Sequence, residues 1–71
     1  MFIVHAESPF DDDWIERHNV IVKVAGEDHS RRRGSLDTQH HEWEIDDFIS
    51  AVRLKNRLNG INKVRATVRE K

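Results

Sequence analysis

The chain has 71 residues and a mass of 8.4 kDa, room for one hydrophobic core, which excludes a two-lobed enzyme with a deep cleft between domains. Hydrophobic residues make up 37% and charged residues 35%, with a mean hydropathy of -0.77; because the apolar residues are clustered and periodic, a single folded domain over 1–71 with a thin core is expected. The net charge of -1 conceals an asymmetry, since residues 1–52 carry 12 acids and 5 bases whereas residues 53–71 carry 7 bases and 1 acid.

Without cysteine there is neither a disulfide framework nor a thiolate metal site, so a reducing, cytoplasmic setting is expected. The apolar run Met1–Val4 ends at His5, and nothing approaches the ~20 apolar residues of a bilayer span. Neither a signal peptide nor a membrane segment is expected.

Phe2, Val4 and Ala6 at period 2 predict a first strand. Ser8 reads as an N-cap and Pro9 as a first helical residue, with Asp11, Asp12 and Asp13 favouring the positive end of the helix dipole, so a short helix over roughly 9–17 follows. Phe10 and Trp14, four apart, would anchor it. The β-branched run from Val20 to Gly26 predicts a second strand, with Val20, Val22 and Val24 on one face. Residues 27–37 hold one apolar residue and read as an exposed hairpin loop carrying Arg31, Arg32 and Arg33.

From Gln39 to Ile45 the alternation returns, with His41, Trp43 and Ile45 opposite Glu42 and Glu44, which predicts a third strand. Asp46 reads as the N-cap of a main helix over 47–59, ended by Gly60 in the left-handed conformation. At 100° per residue Ile45, Phe48, Ile49 and Val52 form its buried face, leaving Leu54 on the polar side. Val64, Ala66 and Val68 then alternate with Lys63, Arg65, Thr67 and Arg69 in a basic closing strand. The fold class is therefore α+β: a small antiparallel sheet of three to four strands, one main helix and a short N-terminal helix, arranged as ferredoxin-like βαββαβ or as ββαβ.

Arg31, Arg32 and Arg33, joined by Arg53, Arg57, Lys63, Arg65 and Arg69, form the candidate binding surface, because guanidinium forks match phosphate or carboxylate oxygens bidentately. Leu54, flanked by Arg53 and Arg57, would add an apolar anchor inside a basic rim. His5, His18, His29, His40 and His41 show no pair at metal-ligand spacing, so no metal and no cofactor is expected. His40 and His41 must point to opposite faces of a strand, which suits a pH-sensitive surface. The three consecutive aspartates diverge by 100° each on a helix and cannot converge on one atom, and no serine has a nucleophile context. An enzyme is not expected.

The segment from Asp46 to Arg69, Asp-Asp-Phe-Ile-Ser-Ala-Val-Arg-Leu-Lys-Asn-Arg-Leu-Asn-Gly-Ile-Asn-Lys-Val-Arg-Ala-Thr-Val-Arg, resembles the closing helix-and-strand unit of small phage-encoded α+β host-takeover and inhibitor proteins, which include the phage inhibitor of bacterial RNA polymerase and its basic last strand. The likeness covers about a third of the chain and rests on pattern; here the helix carries Arg53, Lys55 and Arg57 where that family's is more acidic. It implies a compact, non-catalytic regulatory module of phage or mobile-element origin that docks on a host protein. The alternatives are a small nucleic-acid-binding module using the arginine loop and basic strand, and a structural homodimer burying Leu54 and the free sheet face.

Overall fold

The computed structural model describes residues 1–26 and 38–71. The chain runs β1 (Phe2–Pro9), α1 (Trp14–Ala25), β2 (Thr38–Ile45), α2 (Phe48–Asn59), β3 (Arg65–Glu70). The strands form one sheet in the order β2-β1-β3, and β1 is antiparallel to both neighbours. It follows that β2 and β3 are parallel, and that α2 links them across the central strand, a split βαβ arrangement.

The register sorts the side chains. Val4 lies opposite Trp43 and Val68, and Ala6 opposite His41 and Ala66; these residues turn toward the helices, where Val4, Ala6, Ile21, Trp43, Ala51, Leu58, Val64 and Ala66 make the core. The alternate positions, Ile3, His5 and Glu7 with Glu42, Glu44, Arg65, Thr67 and Arg69, lie on a sheet face that neither helix covers. Polar atoms close the framework: the Trp43 indole N–H donates to the Gly26 carbonyl at 3.1 Å, tying the end of α1 to β2. Asn59 accepts from the Ala66 N–H at 2.8 Å and donates to its carbonyl at 3.1 Å, occupying edge groups of β3 that would otherwise be open to strand addition.

Four sequence expectations are corrected here. The strand expected over 20–26 is the second half of α1, and the short helix expected over 9–17 begins only at Trp14, because Pro9 ends β1. The β-branched preference of Val20, Ile21, Val22 and Val24 yields to a helical stripe of Trp14, Arg17, Ile21 and Val24 that reaches the core. Among the described residues the sheet has three strands, within the three to four expected, and the element order is βαβαβ, neither βαββαβ nor ββαβ. The buried stripe of α2 is Ala51 and Leu58, with Leu54 half-buried against the core, while Phe48 and Ile49 are exposed. Ile45, on which the expected phase of this helix depends, is the last residue of β2 and has no bearing on a helix beginning at Phe48.

At its ends α2 differs in smaller ways. Its N-cap is Asp47, whose carboxylate accepts from the Ser50 N–H at 2.8 Å. Gly60 is right-handed at φ -76°, and a Cβ there would stand 3.2 Å from the Arg57 carbonyl oxygen. The left-handed residue of this turn is Lys63, at φ 66°. The loop expected over 27–37, with Arg31, Arg32 and Arg33, lies outside the described residues.

Candidate functional site

The basic candidate residues do not converge. Arg53 and Arg57 are exposed on α2, away from the Ala51–Leu54–Leu58 stripe, whereas Arg65 and Arg69 are exposed on the helix-free sheet face. Helices and open sheet face are opposite sides of the molecule. Lys63 stands apart from both groups, donating to the Asp11 carboxylate at 3.2 Å. Leu54, expected to be an exposed anchor inside a basic rim, instead packs on the core.

The helix-free face is a charge lattice laid across the central strand. Arg69 on β3 donates to Glu42 on β2 at 3.2 Å, and Lys71 pairs with Glu44 in the same direction. Arg69 is the register partner of Ile3, and Glu42 that of His5, so the first bridge runs diagonally over β1. Ile3 is only 7% exposed although no helix lies above it, and Arg69 is its cross-strand neighbour, a position from which a long basic side chain can shield apolar surface with its methylenes. On the same face the His5 and His40 rings are hydrogen-bonded, Nε2 to Nδ1 at 2.9 Å. Phe2 and Trp43, the aromatics that could stack a nucleic-acid base on a sheet, fall on the helix side of the register.

Beneath α1 the sheet carries polar side chains into the interior. Ser8 is 3% exposed and lies opposite Gln39, while His41, buried, packs on Trp43 with ring centres 5.9 Å apart and on His18 of α1 at 5.3 Å. Ser8 Oγ, His18 Nδ1 and Gln39 Nε2 are buried without a hydrogen-bond partner among the described residues, which is the usual setting of a structural water. Arg17, 7% exposed, grips Asp11 bidentately at 3.0 and 3.1 Å and donates to the Pro9 carbonyl at 2.9 Å. The Arg17 hydrogen bonds, seconded by Lys63, bring the Asp11 carboxyl down to about 2. This clamp joins the end of β1, the start of α1 and the turn before β3. Among the described residues no group of three histidine or carboxylate side chains is arranged to hold a metal ion, and no helix is long and apolar enough to cross a membrane.

The third surface was missed by sequence reasoning. At the end where β1 and α2 begin, Phe48 is 57% and Ile49 65% exposed. The Phe48 ring leans on Phe2 with centres 5.4 Å apart, and Met1 is exposed beside it in the chain. Two adjacent large apolar residues this open, in a chain that buries Arg17, Ser8 and His41, form a patch of the kind interfaces use. The signal available in the sequence was the Leu54–Leu58 pair at i, i+4, which with Ala51 defines the core stripe and so turns Phe48 and Ile49 outward. The Asp47 carboxyl beside them is lowered from its ordinary value by the Ser50 N–H, so the first turn of α2 holds an anion.

No family model, no curated protein and no solved structure matches the chain.

Proposed function

We propose that this chain is a non-catalytic protein-binding module that docks through Phe48 and Ile49 onto an apolar surface with a basic surround. The observation that carries the reading is the exposure of these two side chains at the start of a capped helix. Their rim supplies the sign of the partner: Asp46 and Asp47 precede them, Glu70 lies opposite Phe2, and Arg53 follows one turn along α2. A second copy docking through the same patch would set acid against acid, which favours a different protein as occupant. The reading keeps the regulatory role and host-protein target implied by the phage resemblance, and moves the contact from the basic residues to the apolar end. It is further supported by what the charged groups do, since Asp11, Glu42 and Glu44 are engaged with Arg17, Arg69 and Lys71 in holding the fold.

The test is a double substitution, Phe48→Asp with Ile49→Asp. Exposed sites typically change stability by about 0.5 kcal/mol each, and Phe48 also gives up its ring contact with Phe2, worth about 0.5–1.5 kcal/mol, so the double variant should stay folded with a melting temperature lowered by about 5–15 °C on the small-domain scale. Proteins captured by the wild-type chain from nuclease-treated lysate should be lost from the variant. Equal capture by both chains refutes the reading. Capture that requires nucleic acid and weakens log-linearly with salt would support the nucleic-acid alternative, through Arg65 and Arg69 or through Arg53 and Arg57. A sedimenting dimer abolished by the double substitution would point to a second copy.

A further inference from the structure

We infer that His5 and His40 form a proton-sharing clasp that fastens the beginning of β2 to the central strand on the helix-free face and that acid releases. The two rings meet Nε2 to Nδ1 at 2.9 Å, with planes 19° apart and centres separated by 5.0 Å, so they are nearly coplanar and meet end to end. The other nitrogen of His40, Nε2, stands 3.2 Å from Thr38 Oγ1, and Glu7 Oε2 is 4.0 Å from His40 Nδ1. These contacts bind the first residues of β2 together and to β1, at the end of the sheet where Thr38 pairs with Pro9.

Counting protons shows what the geometry tolerates. With both rings neutral, one nitrogen of the central pair donates and the other accepts, and the Thr38 hydroxyl takes whichever role His40 Nε2 leaves to it. One added proton is also accommodated. As a cation His40 donates from Nδ1 to His5 and from Nε2 to Thr38, with the Glu7 carboxylate close by, so no contact is lost and the central bond becomes charge-assisted. The second proton is different in kind, because His5 Nε2 then carries a hydrogen of its own and two like-charged donors face each other at 2.9 Å. The rings must part.

The rest of the face gives them somewhere to turn. His5 lies opposite Glu42 on β2 and Thr67 on β3, and His40 opposite Glu7, whose other neighbour is Arg65. Glu42 already accepts from Arg69, and Glu44 pairs with Lys71, so a cationic His5 swinging toward Glu42 enters competition with Arg69. Opening the clasp is thereby coupled to the diagonal bridge over Ile3, and the same acid step that loosens the head of β2 disturbs the cover of the central strand. Trp43 and the core on the other face are untouched by this exchange.

The experiment follows imidazole nitrogen signals and backbone amide exchange by NMR in the full chain, from about pH 7.5 to about pH 4, an interval that extends below the ordinary imidazole range because the second proton is taken up against the charge of the first. Wild type should lose about tenfold of its exchange protection at residues 39–41 across that interval, a local opening, while amides of α2 hold. In His40→Gln and in His5→Gln the protection at 39–41 should already be low at the upper pH and should not fall further. Loss of protection in wild type that is reproduced unchanged in both variants overturns the inference, as does protection in wild type that is flat with pH. Unfolding of both variants at the upper pH would overturn it as well, since a clasp that acid merely opens cannot be required for the fold.

Discussion

The two faces of the sheet are held by different physics. Toward the helices, Val4, Trp43 and Ala66 pack against Ile21, Ala51 and Leu58 with almost no exposure, and the stabilisation there is burial of apolar surface and close packing. Toward solvent, the same three strands are laced by Arg69–Glu42, Lys71–Glu44 and the His5–His40 bond, interactions that are individually weak when exposed and that respond to salt and pH. The two helices cover one face, and the other carries the ion pairs. The lesson is that a thin core can leave one sheet face as an adjustable surface while the fold itself is secured elsewhere.

The comparison breaks most sharply at Leu58. It is fully buried, and Leu→Ala in such a site costs about 2–5 kcal/mol through lost transfer energy and the cavity left behind. For so small a domain Leu58→Ala should be largely unfolded at 37 °C, measured by urea titration of the fluorescence of Trp14 and Trp43. A cost below about 1 kcal/mol, the scale of an exposed site, would mean that the helices are not the principal cover of the sheet.

A smaller effect is expected from the clamp at Asp11, which joins the two layers at one end. Its folded-state carboxyl is lowered to about 2, first by the Arg17 hydrogen bonds, against an unfolded value of about 3.9. A group depressed in the folded state contributes stability that is present above the unfolded value and is lost as pH falls through the folded one. Wild type should therefore weaken between about pH 4 and about pH 2, and Asp11→Asn should be less stable at neutral pH while losing that part of the acid dependence. An identical acid profile in the two proteins would show that Arg17 is satisfied by the Pro9 carbonyl alone.

How much of this was legible in the sequence follows the same division. Strands with one face in the core and one in solvent carry period 2 openly, and the inward placement of His41, Trp43, Ala66 and Val68 and the outward placement of Glu42, Glu44, Arg65 and Arg69 could be read from alternation alone. The helices were harder. In α1 the valine-rich second half satisfies a strand locally, and only the long-range stripe from Trp14 to Val24 says otherwise; in α2 the apolar residues exceed what one stripe can bury, so the pattern admits two phases and tertiary packing picks the one through Leu54. That surplus, Phe48 and Ile49, is the candidate docking surface. The separation of the basic residues was not legible because it depends on strand order: with β1 in the centre and α2 crossing above it, the cations of α2 and those of β3 are parted by the thickness of the molecule.

The smallest expected effect separates charge from cover on the open face. Exposed ion pairs are worth roughly 0–1 kcal/mol, so the electrostatic part of Arg69–Glu42 should be slight and should fade in salt. Arg69, however, lies beside Ile3, which is buried on a face without a helix, and a long basic side chain shields apolar surface with its methylenes whatever becomes of its charge. Arg69→Ala removes both contributions and Arg69→Met only the charge. If the stem is what matters, Arg69→Met keeps nearly wild-type stability by urea titration and Arg69→Ala loses up to about 1 kcal/mol, a loss that high salt does not erase. If the charge is what matters, the two variants fall together, both differences vanish in high salt, and the Glu42→Gln variant shows the same small loss. The first outcome would make the open face a second, narrower site of apolar burial; the second would leave it an electrostatic lattice throughout.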